Sequence, residues 1–313
     1  MGAGRSWFEA PLKGSAVPAL ALLAYSHDGI FSRLADADPL VVAAGRFFFA
    51  ACALLPFVLA RQTAPLRHLP RGTMLLTALA GLLLALDFTS WIAATQLTSI
   101  ANSLLLTHVA PVWAVLLTYL MFRKGPSQSE IVAIGLSVLG ASIITQGSRV
   151  GESAAAMTGD ILAMASSLPS AAFLVLSATM LSRLPMLLYG MLSMGWAALF
   201  CFAGALLAGN EFPTDGTFVV VILGMGLVAQ LLGHGGLTWS LHWHTPCFIA
   251  VVCLAEPVLG TLWAWLYFGE PVSSWTAAGG AIVLAAIAVG CRSSETAPST
   301  EAPVALTVTP AGH

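Results

Sequence analysis

The chain has 313 residues, 58% of them hydrophobic and 8% charged, with a mean hydropathy of +0.88 and a net charge of -2. Soluble domains carry about 25% charged residues, so this composition excludes a soluble enzyme, a nucleic-acid binder and a disordered protein, each of which needs polar surface that is missing here. A helix crosses the hydrocarbon core with roughly 20 apolar residues, and the chain holds enough for about nine or ten crossings.

Charges, Pro/Gly turns and polar clusters divide the sequence into ten predicted spans near 13–32, 39–60, 72–95, 98–121, 128–146, 158–181, 185–208, 216–241, 245–268 and 274–291. The first contains the apolar run Val17 to Tyr25, which continues into Ser26-His27-Asp28 without a small-residue cleavage site and therefore reads as a span rather than a signal peptide. Met1-Gly2-Ala3-Gly4-Arg5-Ser6 fits the myristoylation pattern, but one acyl chain adds little to a chain already anchored by many helices. The five cysteines, Cys52, Cys201, Cys247, Cys253 and Cys291, form no CxxC pair and are expected to be buried thiols. Residues 1–12 form a short N-terminal segment, and residues 292–313, rich in Ser, Thr, Pro, Ala and Glu, read as a disordered tail.

Short links force neighbouring spans antiparallel, so ten spans put both termini on one face. With the N-terminus cytoplasmic, the inner segments hold nine Lys or Arg and the outer ones only Arg33 and Arg149. That asymmetry predicts a multi-pass protein of a bacterial-type cytoplasmic membrane with both termini inside.

The sequence also repeats. At an offset of 146 residues Pro39 meets Pro185, and between 111 and 127 six residues are identical to their mates: Pro111, Val112, Leu116, Leu120, Phe122 and Ser127 match Pro257, Val258, Leu262, Leu266, Phe268 and Ser273. The two repeats are 13–146 and 158–291, with five spans each, so the second enters the membrane in the opposite sense. Inverted repeats of this kind build many secondary transporters, because two packings of one unit open a midplane site to either side in turn.

The stretches Ala94-Thr-Gln-Leu-Thr-Ser-Ile-Ala, Ala110-Pro-Val-Trp-Ala-Val-Leu-Leu, Leu254-Ala-Glu-Pro-Val-Leu-Gly and Tyr267-Phe-Gly-Glu-Pro resemble the repeated EamA domain of the drug/metabolite transporter superfamily. Gly45-Arg46-Phe47-Phe48 and Gly159-Asp160 fit the same pattern. The resemblance covers both repeats and implies ten helices, cytoplasmic ends and export of small metabolites, amino acids and often aromatic ones among them. In the first span, Tyr25-Ser26-His27-Asp28-Gly29 stands where many members have a Trp-Gly pair.

An ionisable group at the bilayer centre costs roughly 2.5 to 3.5 kcal/mol, so each one inside a span must face protein or water and is a functional candidate. Asp87 and Trp91 are four apart and share a helix face, with Phe88 beside them. Gln230 and His234 repeat that spacing in the eighth span, His108 lies one turn before Pro111, and Glu256 precedes Pro257. Together Asp87, Phe88, Trp91, His108, Gln230, His234 and Glu256 make a predicted cargo site: carboxylate for an ammonium, His or Gln donors for a carboxylate, aromatic faces for an apolar side chain. Pro111 and Pro257 each remove a backbone donor, freeing the carbonyls of Thr107 and Cys253, and are candidate hinges. His27 and Asp28 can pair with Arg46 inside the membrane. These titratable groups are compatible with proton coupling, and none requires it.

No catalysis, cofactor or metal site is expected. Gly224-Met225-Gly226 opens a chance GxGxxA match inside an apolar span, and His242, His244 and Cys247 are too few for a closed metal site. Trp239, Trp243, Trp265, Tyr267 and Trp275 read as interface anchors, and Ala277, Ala281 and Ala285, with Gly135 and Ser137, as small residues for close helix packing, within the chain or between copies. The expected partners are a small-molecule cargo and the bilayer, with no nucleic acid. Rival readings are the same fold carrying a sugar phosphate or nucleoside, which only Arg46 is placed to meet, and a membrane-embedded enzyme.

Overall fold

The computed structural model describes residues 16–62, 66, 69–122, 128–151, 153–240, 252–253 and 255–296. The described elements are α1 (Ala16–Tyr25), α2 (Asp28–Leu34), α3 (Pro39–Arg61), α4 (Arg71–Leu97), α5 (Ile100–Thr107), α6 (Ala110–Phe122), α7 (Gln128–Gly151), α8 (Ala154–Met180), α9 (Met186–Ala208), α10 (Gly216–Ser240), α11 (Ala255–Phe268) and α12 (Ser274–Thr296). By length and composition α3, α4, α8, α9 and α10 can each cross a membrane.

Their surface is inverted relative to a water-soluble protein. Leu20, Leu75, Leu206, Leu207 and Val220 face outward, Leu207 at 90% exposure, while Asp28, Arg46, Asp160 and Gln230 are buried. Leucine outside and charge inside is stable only where the solvent is hydrocarbon, and every helix satisfies its own backbone there. The protein is an integral membrane protein.

Helix ends follow local chemistry. Asp38 caps α3 by accepting the Leu40 amide at 2.9 Å, with Pro39 in the first turn, where a missing N–H costs nothing. Its mate in the second repeat, Pro185, immediately precedes α9. Asp215 caps α10 through the Phe218 amide at 2.9 Å.

The packing itself carries the repeat. The fifth span packs on the tenth (α7 on α12) and the second on the seventh (α3 on α9). The third packs on the sixth (α4 on α8), and the matching pair, eighth on first, is α10 on α1. Likewise α4 on α9 is matched by α10 on α3. Exchanging the two halves maps these contacts onto themselves, as an inverted pair of five-span units requires.

Four expectations need correction. The first span is not one helix: it breaks at Ser26 and His27, because the Ser26 hydroxyl and His27 Nδ1 both bond the Leu23 carbonyl (2.9 and 2.7 Å), which is the acceptor that helix continuation needs. The last helix runs on to Thr296, into the segment expected to be disordered. Cys52 is exposed rather than buried, on the lipid side of α3, whereas Cys201 is buried. Of the two packings expected for the small residues, the one within the chain is corrected for Ala277, Ala281 and Ala285, which point outward, and for Gly135, which has open space beside it, while Ser137 is buried. The α7–α12 seam instead rests on Gly140 and Gly279, where a Cβ on either would stand 2.7 or 2.6 Å from the other's carbonyl oxygen. Trp239, Trp265, Tyr267 and Trp275 are exposed as expected of interface anchors, while Trp243 lies outside the described residues.

Candidate functional site

The break between α1 and α2 starts a new helix at Asp28 and puts that carboxylate inside the bundle, 2% exposed. Arg46, from the middle of α3, reaches it with 0% exposure: Nη1 donates to both Asp28 oxygens at 2.9 and 2.7 Å. The expected ion pair is therefore formed, without His27, whose ring stacks on Trp263 at 4.6 Å. The remaining edge of Arg46 looks to the second repeat. Nε donates to Gln230 Oε1 at 2.8 Å, and Gln230 Nε2 lies 3.2 Å from His234 Nδ1. Because the Gln230 oxygen is spent on the guanidinium, its amide must donate to His234 Nδ1, which fixes the His234 proton on Nε2.

Aromatic rings wall this chain. The Phe88 ring lies under the guanidinium, 3.9 Å from Arg46 Cζ to the centroid, and Phe88 packs edge-on against Phe47 and Trp91. Tyr25 stacks on His234 at 5.9 Å, and Phe173 approaches the same ring at 6.5 Å. A flat cation on an aromatic face is favourable where water is excluded, by about 2 kcal/mol or more.

Gln230 and His234 sit in the unusual part of α10. From Met225 to Gly235 that helix is π-helical, between α-helical ends. The wider turn is rare and recurs at functional sites. Here glycine makes it possible: a Cβ at Gly226 would stand 2.8 Å from the Arg46 carbonyl, and one at Gly233 would stand 2.7 Å from the Tyr25 backbone. Only bare backbone lets α10 press against α3 and α1 at the depth of the polar chain.

A second group lies beside it. His108 Nδ1 donates to the Leu104 carbonyl at 2.7 Å, which leaves Nε2 facing Glu256 at 3.7 Å. The same ring meets the backbone carbonyl of Cys253, the acceptor that Pro257 leaves without its amide partner. The fourth span is thus not a helix kinked at Pro111: α5 ends at Thr107, His108 and Val109 form a turn, and α6 restarts with Pro111 as its second residue. The Thr107 hydroxyl bonds the Ser103 carbonyl at 2.9 Å and reaches the Ala163 carbonyl and Ser166 of α8. Asp87 is buried against Ser170 of α8 and lies in the fields of Arg46 and Asp28. Tyr25 lies between both groups, within electrostatic reach of Glu256, Asp28, Asp87 and Arg46.

At one membrane face the repeats are clasped. Arg33, in the last turn of α2, bonds Glu270, just after α11, and also donates to the Thr95 and Thr98 carbonyls at 2.7 and 2.9 Å. The other Glu270 oxygen accepts the Ile100 amide at 3.1 Å, at the start of α5. Next to it Thr98 and Asn102 both donate to Asp160, and Asn102 accepts from Thr276 at 2.7 Å. A recess of about 400 Å³ opens beside the clasp, lined by Arg33, Gln96, Ser99, Ser153 and Glu270 among others.

The sequence-derived candidates therefore fall into two adjoining sets: Phe88, Trp91, Gln230 and His234 around Arg46, with Asp87 near, and His108 with Glu256. Sequence reasoning left out Tyr25, Phe173, Ser170 and the Arg33–Glu270 clasp. One signal was available: Ser166, Ser167, Ser170 and Ser177 recur at helical spacing along α8 and mark its inward face. Among the described residues, no three His, Cys, Asp or Glu are grouped to hold a metal ion. His242, His244 and Cys247 lie outside the described residues.

The chain matches the EamA-like transporter family twice, over residues 12–146 and 157–290. It is 27% identical over 288 residues, 91% of this chain and 99% of the relative, to a protein of Archaeoglobus fulgidus described as an uncharacterized transporter. A crystal structure superposes with a TM-score of 0.62 at 18% identity, over 90% of this chain and 98% of that one, a likeness of fold.

Proposed function

This chain belongs to the EamA-like transporter family, and on that premise we propose that it exports amino acids, aromatic ones included, or similar small metabolites across a cytoplasmic membrane by alternating access. Both termini lie in the cytoplasm, which puts the Arg33–Glu270 clasp on the outer face and makes this a state closed to the outside. Cargo binds among Asp87, Phe88, Trp91, His108, Gln230, His234 and Glu256, and Pro111 and Pro257 serve as hinges for the change of access.

The observation that carries this reading is the buried chain Asp28–Arg46–Gln230–His234, which runs from the first repeat into the second between aromatic faces. A polar contact shared by two units that must move apart is where a cargo gains purchase on both, and a ligand shifts a two-state equilibrium only through such differential contacts. Carboxylates for an ammonium and flat rings for a side chain complete what an amino acid needs. A sugar phosphate is served less well, because only Arg46 among the Lys and Arg lies well inside a predicted span, and it already faces Asp28.

The test is counterflow in proteoliposomes with a labelled panel of aromatic, aliphatic and charged amino acids, a sugar phosphate and a nucleoside. Exchange confined to amino acids is the expected result. Exchange of the sugar phosphate or nucleoside in their place would overturn the cargo assignment.

A further inference from the structure

Arg46 has more donors than the protein uses. Its guanidinium carries five N–H groups. Nη1 is occupied by Asp28 and Nε by Gln230, while Nη2, fully buried, has no hydrogen-bond partner among the described residues. Phe88 covers the flat face of the group, so the unmet need lies along the Nη2 edge. Buried donors are nearly always satisfied, and a cationic one left open is an exception that asks for an acceptor. Of the nearby acids, Asp28 already holds Nη1 and Asp87 bonds Ser170, while Glu256 faces His108 at 3.7 Å.

We infer that the Arg46 Nη2 edge is where a carboxylate of the cargo docks, with Asp28 and Gln230 acting as positioning residues that hold the guanidinium still. The inference rests on the amino-acid reading above and deepens it, since it makes the carboxylate the group by which cargo is selected. Charge arithmetic points the same way. Three buried acids, Asp28, Asp87 and Glu256, surround one arginine. A dianionic phosphate would bring two charges to a single open N–H edge in a site otherwise lined by carboxyl groups, whereas a zwitterion brings its own ammonium for Asp87 or Glu256 while its carboxylate takes that edge.

The experiment compares three probes of nearly one shape: L-phenylalanine, L-phenylalaninamide and phenethylamine, each as competitor of labelled L-phenylalanine counterflow in the wild-type protein. The two probes lacking a carboxylate carry no negative charge to set against the carboxyl groups of the site, so general electrostatics works against the expected order. L-phenylalanine should compete at least tenfold better than either, ~1.4 kcal/mol. In the Asp28→Asn/Arg46→Gln double variant, which removes both charges of the pair, that ratio should fall to near one. Equal competition by acid and amide in the wild type would overturn the inference and leave the amino-acid reading standing. A tenfold ratio that survives in the double variant would also overturn it. If L-phenylalanine is not exchanged at all while a sugar phosphate or nucleoside is, the functional reading fails and takes this inference with it.

Discussion

Removing one member of the Asp28–Arg46 pair has a cost that its burial sets. The carboxylate is 2% exposed and the guanidinium 0%, so Asp28→Asn leaves a buried cation facing a neutral amide with no water to compensate. Breaking a pair buried to this degree costs about 3 to 5 kcal/mol, whereas removing both partners costs far less because no lone charge remains. Arg46→Gln pays the same penalty at Asp28 and also loses the Phe88 contact, about 2 kcal/mol. At roughly 2 °C per kcal/mol for a chain of this size, each single variant should melt roughly 6 to 14 °C below wild type. The Asp28→Asn/Arg46→Gln double variant should melt above the sum of the two losses, with a coupling on the order of 3 kcal/mol. Thermal unfolding in detergent, followed by tryptophan fluorescence, reads all four proteins. Strictly additive losses, or single variants within about 2 °C of wild type, would refute the reasoning that this pair is dry and mutually neutralising.

Other outcomes follow from the same contacts. Arg33→Gln or Glu270→Gln opens the clasp, so a cysteine placed at Ser99 in a cysteine-free background should react severalfold faster with a membrane-impermeant maleimide, and the Arg33→Glu/Glu270→Arg exchange should restore slow labelling. Gly279→Val drives a branched side chain into the Gly140 carbonyl, 2.6 Å from the first added carbon, and should lower the melting temperature by several degrees, about 1 to 3 kcal/mol, while Ala281→Val on the outward face changes it little. Gln230→Leu strands Arg46 Nε and His234 Nδ1 together, costing about 1 to 3 kcal/mol for each buried group left unmet, and should abolish counterflow, whereas Gln230→Glu keeps the acceptor for Arg46 and retains more of it.

Much of the fold is legible in the sequence because its signals are local. Apolar runs of bilayer length mark the spans, and Pro39 with Pro185 mark the same helix start in both repeats. The Asp28–Arg46 pair was also within reach, since a charge inside a span needs a partner. What the sequence hides is competition for single carbonyls. Nothing in the periodicity around Ser26-His27 says that two side chains will take the Leu23 oxygen and break the helix, and nothing around His108 says that its ring will take the Leu104 oxygen. The π-helical turn is hidden for a related reason: five glycines between 224 and 236 permit it, but the pressure that selects it comes from α1 and α3. Contacts across 184 or 237 residues, Arg46 with Gln230 and Arg33 with Glu270, have no local signature.

Counterflow of labelled L-phenylalanine in proteoliposomes holding wild type, Asp87→Asn or His234→Ala tests the account most directly, because it asks at once whether the protein moves an amino acid and whether it does so through this cluster. Robust exchange by wild type and a loss of about tenfold or more in each variant are expected, with thermal unfolding confirming that the variants fold. Unchanged exchange in both variants would contradict the site.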